Sequence, residues 1–233
     1  MIGDIVSFNN GDFIKVEYSA WRASDGAMVY TTQKDVAEKN DIYNKDRAYG
    51  PSLVIIGKHT VIKGLEKTIR EMGINESRKI EVSAEEAFGE RNPELVRVMH
   101  ASDFKKRDID PRPGMQIDLD GTVAVITAVN SGRVTVDANH PLAGERLTYE
   151  VKVVSKVDKE EERIAALAEM SGLRADSVKT ENDTAELLFK DSIEKNADYF
   201  VNKTATVNAI LEYMPGIRMV VIREEYARKE EKK

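Results

Sequence analysis

The sequence contains no cysteine among its 233 residues, and this absence excludes several kinds of chemistry. Disulfide bonds, thiolate zinc sites, iron–sulfur clusters and a cysteine nucleophile all require this residue. The three histidines lie far apart, at positions 59, 100 and 140, and none has a second ligand at helical spacing. No phosphate loop, dinucleotide fingerprint or serine nucleophile motif is present. We therefore predict that the protein uses no metal and no cofactor.

Long apolar runs are also missing, since no window approaches the ~18 consecutive apolar residues of a membrane span. The N-terminal residues 1–6 lack the basic segment of a secretory signal. The charges nearly balance, because 35 Lys and Arg residues against 41 Asp and Glu residues give a net charge of −6. Such a chain lacks the basic footprint of a nucleic-acid-binding protein. These features predict a soluble, globular, cytoplasmic protein that binds neither membranes nor nucleic acid.

The first block of the chain has the apolar periodicity of short strands around one helix. Alternating or continuous apolar runs predict strands at 14–18, 28–30, 53–56 and 78–82. Leu65, Ile69 and Met72 recur at helical spacing and predict a short helix between the last two strands. Residues 31–50 are polar, and we predict a long loop there.

Two further blocks follow. In 93–137, apolar residues alternate on both sides of glycine turns, which predicts a β-meander with an apolar face of its own. A strand at 147–153 comes next. From residue 157 the pattern changes to helix, strand, helix and strand, and a small α/β module is predicted. The charged run 223–233 is interpreted as a solvated tail.

Aromatic and apolar residues of the first block, together with one residue of the strand at 147–153, form the candidate site. They are Tyr18, Val29, Val54, Val61, Ile62, Leu65, Phe88 and Tyr149. Taken alone, residues of these types are typical of a hydrophobic core. Their order along the chain is what gives them a second interpretation.

Four stretches resemble the FKBP-type peptidyl-prolyl isomerases. Residues 16–29 are similar to the family's tyrosine-bearing strand and Asp-Gly turn, and 56–65 to its Gly-x-x-x-Val-Ile-x-Gly segment. Residues 87–89 resemble the family's Ala-Tyr/Phe-Gly. The Asn-His-Pro-Leu-Ala-Gly of 139–144, followed by Leu147 and Tyr149, resembles the SlyD-like branch. The resemblance covers residues 1–156, and the remainder resembles the C-terminal extension of the longer archaeal members.

The resemblance implies an α+β fold: an FKBP-type antiparallel sheet or half-barrel around a short helix, an inserted small β domain and a C-terminal α/β module. It also implies the domain boundaries. Residues 1–92 and 138–156 would form a discontinuous prolyl isomerase domain, and 93–137 an insert-in-flap chaperone domain. The C-terminal module, 157–233, would serve dimerisation, partner docking or stabilisation. An exposed strand at 217–222 favours a homodimer through this module.

The implied function is peptidyl-prolyl cis-trans isomerase (rotamase) activity with chaperone activity. Unfolded or partly folded proteins and proline-containing peptides would be the partners. An apolar pocket that strips water from the X-Pro amide favours its twisted form without a covalent intermediate. The eight candidate residues would line this pocket, and the Ile62 N–H would bind a substrate carbonyl. Further substrate-binding residues would be Tyr30 at the rim, Leu142 in a returning loop, and the apolar insert surface of Val96, Val98, Met99 and Phe104.

Four positions depart from the pattern of many family members. Phe88 replaces a Tyr, Tyr30 an Asp, Val29 a Phe and Leu65 a Trp, although SlyD-like members also have an aliphatic residue at the last position. A lost neutral hydrogen bond costs about 0.5–1.5 kcal/mol, so weaker catalysis is expected. Weaker binding of the family's macrolide inhibitors is expected as well. The alternative function is a non-catalytic holdase chaperone or assembly adaptor with a degenerate isomerase pocket.

Overall fold

The structure is a computed structural model that describes residues 7–119, 121–190 and 197–226. The chain divides into two compact units. Unit 1 contains residues 1–21, 26–80 and 148–233, and unit 2 contains residues 22–25 and 81–147. Part of the predicted charged tail, 227–233, lies outside the described residues.

Strands and helices alternate irregularly along the chain. The strands are β1 (Phe13–Arg22), β2 (Met28–Thr31), β3 (Ser52–Ile55), β4 (Ser77–Val82), β5 (Val96–His100), β6 (Gln116–Leu119), β7 (Thr122–Asn130), β8 (Arg133–Asp137), β9 (Leu147–Val157), β10 (Ser177–Glu181), β11 (Thr184–Lys190) and β12 (Met219–Glu225). The α-helices are α1 (Lys34–Lys39), α2 (Lys63–Arg70), α3 (Ala101–Lys105), α4 (Glu160–Met170) and α5 (Ala197–Tyr213).

The first sheet has the order β2-β1-β9-β4, and β3 pairs with β1 as well. The start of β1 is antiparallel to β3, and the end of β1 is antiparallel to β2. On β1, Ile14 and Val16 are fully buried, and α2 buries Leu65 and Ile69. The short helix therefore contributes an apolar face to the interior, as the spacing of its leucine and isoleucine predicted.

A second core in unit 1 joins the first sheet to the C-terminal module. Phe13, Leu53 and Ile55 belong to the same buried cluster as residues of α4, β11 and α5, among them Leu167 and Ile210. In the module the sheet order is β10-β11-β12, and β11 and β12 are parallel. The helix α5 makes the crossover that parallel neighbours require.

Unit 2 contains a four-stranded antiparallel sheet with the order β5-β8-β7-β6. Its small core consists of one aromatic residue from α3 and aliphatic residues from the two central strands. The buried members are Phe104, Ala124, Ile126, Val134 and Val136.

The predicted α+β class is confirmed, and the predicted strands and helices are found close to their predicted positions. Four elements were not predicted, and one of them is the short helix α3 in the insert. The helix α1 lies inside the predicted loop of 31–50. It has no apolar periodicity to reveal it, because it is short and polar and Ala37 is its only buried residue. The strands β5 and β10 carry charged residues that interrupt the apolar alternation.

Candidate functional site

Three tyrosine rings from adjacent strands lie together in unit 1. The rings of Tyr18 on β1 and Tyr30 on β2 are stacked, with centroids 5.0 Å apart and an interplanar angle of 10°. Tyr149 on β9 lies on the other side of Tyr18, with ring centroids 6.1 Å apart. Because β1 runs between β2 and β9, side chains on one face of the sheet bring these rings side by side. We call this group the tyrosine cluster.

Two tyrosines of the cluster, Tyr18 and Tyr149, have raised pKa values. Burial raises the pKa of Tyr18 above its usual range, and Tyr30 adds to this rise through its nearby charge and a hydrogen bond. Burial also raises the pKa of Tyr149 to about 12. The Tyr18 and Tyr149 side chains therefore offer aromatic surface and neutral hydroxyl groups, and these two hydroxyls do not titrate in the pH range in which acid–base catalysis operates.

Arg47 covers the outer face of the cluster. Its guanidinium carbon lies 3.6 Å from the centroid of the Tyr30 ring, which is a close cation–π contact. The guanidinium Nη2 also donates to the Thr31 carbonyl oxygen at 2.7 Å, so the arginine is held by β2 itself. Arg47 is a residue that the sequence analysis missed, because it lies in the polar segment 31–50 without any pattern.

The segment before α2 carries the predicted carbonyl-binding group. Ile62 directly precedes the helix and has an extended backbone, and its carbonyl oxygen accepts from the Glu66 N–H at 3.0 Å. Within the part of the chain that the structure describes, the Ile62 N–H donates to no acceptor. Ile62 itself is half-buried.

Glu66 fixes that segment from inside α2. Its side chain is 9% exposed, and the carboxylate accepts from the Gly57 N–H at 3.0 Å and from the His59 N–H at 3.2 Å. Arg70, one turn later, lies 3.4 Å from the same carboxylate. Sequence analysis overlooked Glu66. The available signal was its spacing of three residues from Ile69, which puts an acidic residue on the buried face of the helix.

The other predicted residues of unit 1 differ in exposure. Val29 on β2 and Val61 before α2 are half-buried. Leu65 in the first turn of α2 is 1% exposed, and Val54 on β3 is completely buried and pairs with Ile14. The Val54 side chain is thus shielded from solvent, whereas the side chains of Val61 and Val29 are partly accessible to it.

In unit 2 the structure brings together Phe88, His140 and Leu142. The Phe88 and His140 rings are stacked, with centroids 4.1 Å apart and an interplanar angle of 3°. His140 Nδ1 accepts from the Leu142 N–H at 3.1 Å. His140 thus contacts both Phe88 and the returning loop.

The two segments that lead into and out of the inserted sheet are bonded to each other. Asn92 N–H donates to Asn139 Oδ1 at 2.8 Å, and Asn139 Nδ2 donates to the Asn92 carbonyl oxygen at 2.9 Å. Arg91 bonds to the buried carboxylate of Asp137, which also accepts from the Asn139 N–H at 2.8 Å. We call residues 91–95 and 137–139 the neck. Its bonds hold the two ends of the insert side by side.

Comparisons with known proteins identify the family of the chain. Residues 97–142 match the family model "FKBP26, IF domain". The short-type peptidyl-prolyl cis-trans isomerase of Methanocaldococcus jannaschii is 34% identical over 143 residues, which cover 61% of this chain and 90% of that protein. The chain belongs to the FKBP-type peptidyl-prolyl isomerase family.

Two other FKBP-type proteins agree with this assignment. The isomerase SlyD of Helicobacter pylori is 30% identical over 57% of this chain and 74% of its own length. A probable FKBP-type 16 kDa isomerase of Pseudomonas fluorescens is 27% identical over 50% of this chain and 80% of its own length. The predicted resemblance, including the insert-in-flap domain, is therefore confirmed.

The insert of this FKBP-type protein has one packed face and one open face. Met99 pairs with Val134 and packs against the small core. Val98, one residue earlier, lies on the opposite face and is 64% exposed, as is Val123 on β7. Val96 is half-buried on the same open face as Val98.

One predicted surface residue of the insert is placed differently. Phe104 is 4% exposed and forms the centre of the insert core, so its prediction as part of the apolar surface is wrong. The physical reason is that the apolar face of the insert sheet must be shielded from water, and α3 packs the Phe104 ring against it.

Along residues 7–119, 121–190 and 197–226, no helix of this FKBP-type chain combines the length and apolar character that crossing a membrane requires. The same ranges bring together no group of three or more His, Asp or Glu side chains that could hold a metal ion.

Proposed function

We propose that the protein catalyses cis–trans isomerisation of X-Pro bonds in unfolded or partly folded proteins, at a site built on the tyrosine cluster and the segment before α2. The observation that carries the proposal is the unpaired Ile62 N–H in a segment held by Glu66. A fixed donor of this kind orients the substrate backbone, and family membership supports the activity.

The chemistry requires a distorted amide and no bond breaking. Rotation about the X-Pro bond faces a barrier of about 20 kcal/mol, because the planar amide is stabilised by resonance. Apolar surroundings favour the twisted amide, which has less charge separation, and exclude the water that stabilises the planar form. The aromatic faces of Tyr18 and Tyr149 offer such surroundings, while the Ile62 N–H would hold a neighbouring carbonyl. Since the pKa values of Tyr18 and Tyr149 are raised, catalysis should not depend on pH near neutrality.

The individual roles are proposed from the family resemblance. The pocket would be lined by Tyr18, Val29, Val54, Val61, Ile62, Leu65, Phe88 and Tyr149, with Tyr30 at its rim and Leu142 as a wall. Single substitutions and rates on a short proline peptide test each role. Val61→Ala, for example, should lower kcat/KM with little loss of stability, since Val61 is half-buried.

The insert is proposed to bind unfolded chains through its open face. The exposed valines Val98 and Val123 lie on this face together with Val96, and exposed apolar surface of this kind marks interaction sites. The insert would raise the local concentration of X-Pro bonds near the isomerase site. Deletion of residues 93–137 joins Asn92 to Ala138, two positions that the neck already holds close. We expect this deletion to slow catalysis on proteins far more than on tetrapeptides.

A holdase or adaptor with a degenerate pocket is the second candidate. The stacking of Tyr30 on Tyr18 favours it, because Tyr30 covers aromatic surface that a proline ring would otherwise contact. Refolding of a proline-limited protein distinguishes the two functions. Acceleration at sub-stoichiometric amounts of the chain supports isomerase activity. Suppressed aggregation at equimolar amounts, without acceleration, supports the holdase.

A cytoplasmic homodimer is proposed for the assembled protein. In the module, β12 pairs with β11, and no other strand of the described residues covers its second edge. Phe200 and Met219 are 52% and 58% exposed on α5 and β12. Exposed apolar side chains and an uncovered strand edge are common at dimer interfaces. Light scattering that gives the monomer mass would remove this part of the proposal.

A further inference from the structure

A groove in unit 1 lies beside the tyrosine cluster and is not used by the proposed isomerase mechanism. Its volume is about 760 Å³, within the range of binding sites for small ligands. The segment 48–53 forms one wall, and residues 166–174, from α4 and the turn after it, form the other. Tyr30 contributes to the lining, and the same ring stacks on Tyr18. Tyr30 is therefore shared by the groove and the proposed isomerase site.

The walls of the groove combine apolar and polar residues, and two of its three charged side chains are positive. Tyr49, Pro51, Met170 and Leu173 supply apolar surface. Lys15 is neutralised by Glu169, whose carboxylate lies 3.1 Å from the ammonium group. Arg174, by contrast, is exposed and forms no ion pair with any described residue. Arg174 therefore leaves the groove with one uncompensated positive charge.

The edge of β3 adds unpaired backbone groups to the groove. Ile56 N–H donates to Asp12 and Ile56 O accepts from Gly11, so alternate residues 52, 54 and 56 face β1. Leu53 therefore points its N–H and carbonyl away from β1, and these groups have no partner in the described part of the chain. Leu53 lines the groove and is 5% exposed. The Leu53 N–H and carbonyl are therefore free to pair with the backbone of an extended ligand.

We propose that the groove binds the stretch of substrate polypeptide next to the isomerised proline, in extended form, and that it favours a stretch with an acidic side chain. An extended chain can pair with the edge of β3 while its side chains contact the apolar walls. The acidic side chain would meet Arg174. This proposal rests on the proposed function, since the groove and the isomerase site share Tyr30.

The test compares three peptides with the same X-Pro bond on the full-length chain. One is a tetrapeptide that reaches only the isomerase site, and two are decapeptides whose flanking residues are either Glu or Lys. We expect the Glu decapeptide to have a kcat/KM about threefold above that of the Lys decapeptide, which is the size that an exposed ion pair gives. Arg174→Glu should reverse this preference and leave the tetrapeptide rate unchanged. The matched control is Lys179→Glu, an exposed position of the same module outside the groove.

The outcomes separate this proposal from the proposed function. If the tetrapeptide is accelerated but both decapeptides react equally well, the groove proposal is wrong and the isomerase remains. If Arg174→Glu and Lys179→Glu change the preference equally, the effect is one of net charge, and the proposal is again overturned. If no peptide is accelerated, the isomerase proposal fails. Fluorescence anisotropy of the same decapeptides then tests the groove proposal on its own. The Glu decapeptide must bind the unchanged protein about threefold more tightly than the Lys decapeptide does, and it must lose this advantage in the Arg174→Glu variant.

Discussion

Replacing Glu66 with Gln should destabilise the protein and slow its catalysis, although Glu66 does not face the tyrosine cluster. The carboxylate accepts from two backbone N–H groups, those of Gly57 at 3.0 Å and His59 at 3.2 Å. Gln retains one acceptor oxygen and turns an NH₂ group toward the other N–H. One charge-assisted hydrogen bond is then lost and the other becomes neutral. With about 1.5–3 kcal/mol for a hydrogen bond to a charged group, the expected loss of stability is about 2 kcal/mol.

Urea unfolding followed by the fluorescence of Trp21, the single tryptophan, measures this loss. The same variant should show a kcat/KM on the tetrapeptide that is reduced about tenfold, because a loosened 57–62 segment no longer fixes the Ile62 N–H. The matched control is Glu71→Gln at the end of the same helix, whose side chain is 63% exposed and lies 3.9 Å from Arg78. If Glu66→Gln unfolds at the same urea concentration as Glu71→Gln, the carboxylate does not hold the segment and the reasoning is refuted.

Three other perturbations test features of the fold. Burial raises the pKa of Tyr149 to about 12, so the folded protein should lose up to about 3 kcal/mol of stability as the pH rises from ~10 toward 12. Tyr149→Phe should remove this contribution to the pH dependence of the free energy of unfolding, measured by unfolding at alkaline pH. Asp137→Asn should weaken the neck by about 1–2 kcal/mol, seen as faster amide exchange confined to unit 2; unchanged exchange would contradict the role of this carboxylate. Gly172→Ala should lower the stability measured by thermal unfolding by about 1–2 kcal/mol, because Gly172 has a left-handed φ of +80° and an added Cβ would lie 2.8 Å from the Asn202 amide nitrogen. The control is Gly216→Ala, which should have little effect.

Much of the fold and part of the site follow from apolar periodicity. The continuous apolar run 53–56 indicated a strand buried on both faces, and β3 is such a strand, with Leu53 and Ile55 in the core shared with the module. Tyr18, Tyr30 and Tyr149 were selected by sequence, and the structure brings them together because they lie on three adjacent strands.

The remainder depends on contacts that a local pattern does not encode. Arg47 acquires its position from a ring and a carbonyl on a different segment, and its own neighbours in sequence are polar. Phe104 was predicted, together with Val96, Val98 and Met99, as part of the apolar surface of the insert. The packing of α3 against the insert sheet places Phe104 in the core instead. The partition into domains at residues 92, 138 and 157 stays a prediction.

The apolar outer face of the first sheet has a consequence for how the protein can be divided. Phe13, Leu53 and Ile55 are buried by residues that follow position 157, so a chain ending at 156 would leave these side chains in water. Such a shortened protein should aggregate at concentrations where the full chain stays in solution, even though its tyrosine cluster is intact. A catalytic domain of this type that lacks the extension would need polar residues at these three positions, so that the outer face and the extension must change together in evolution.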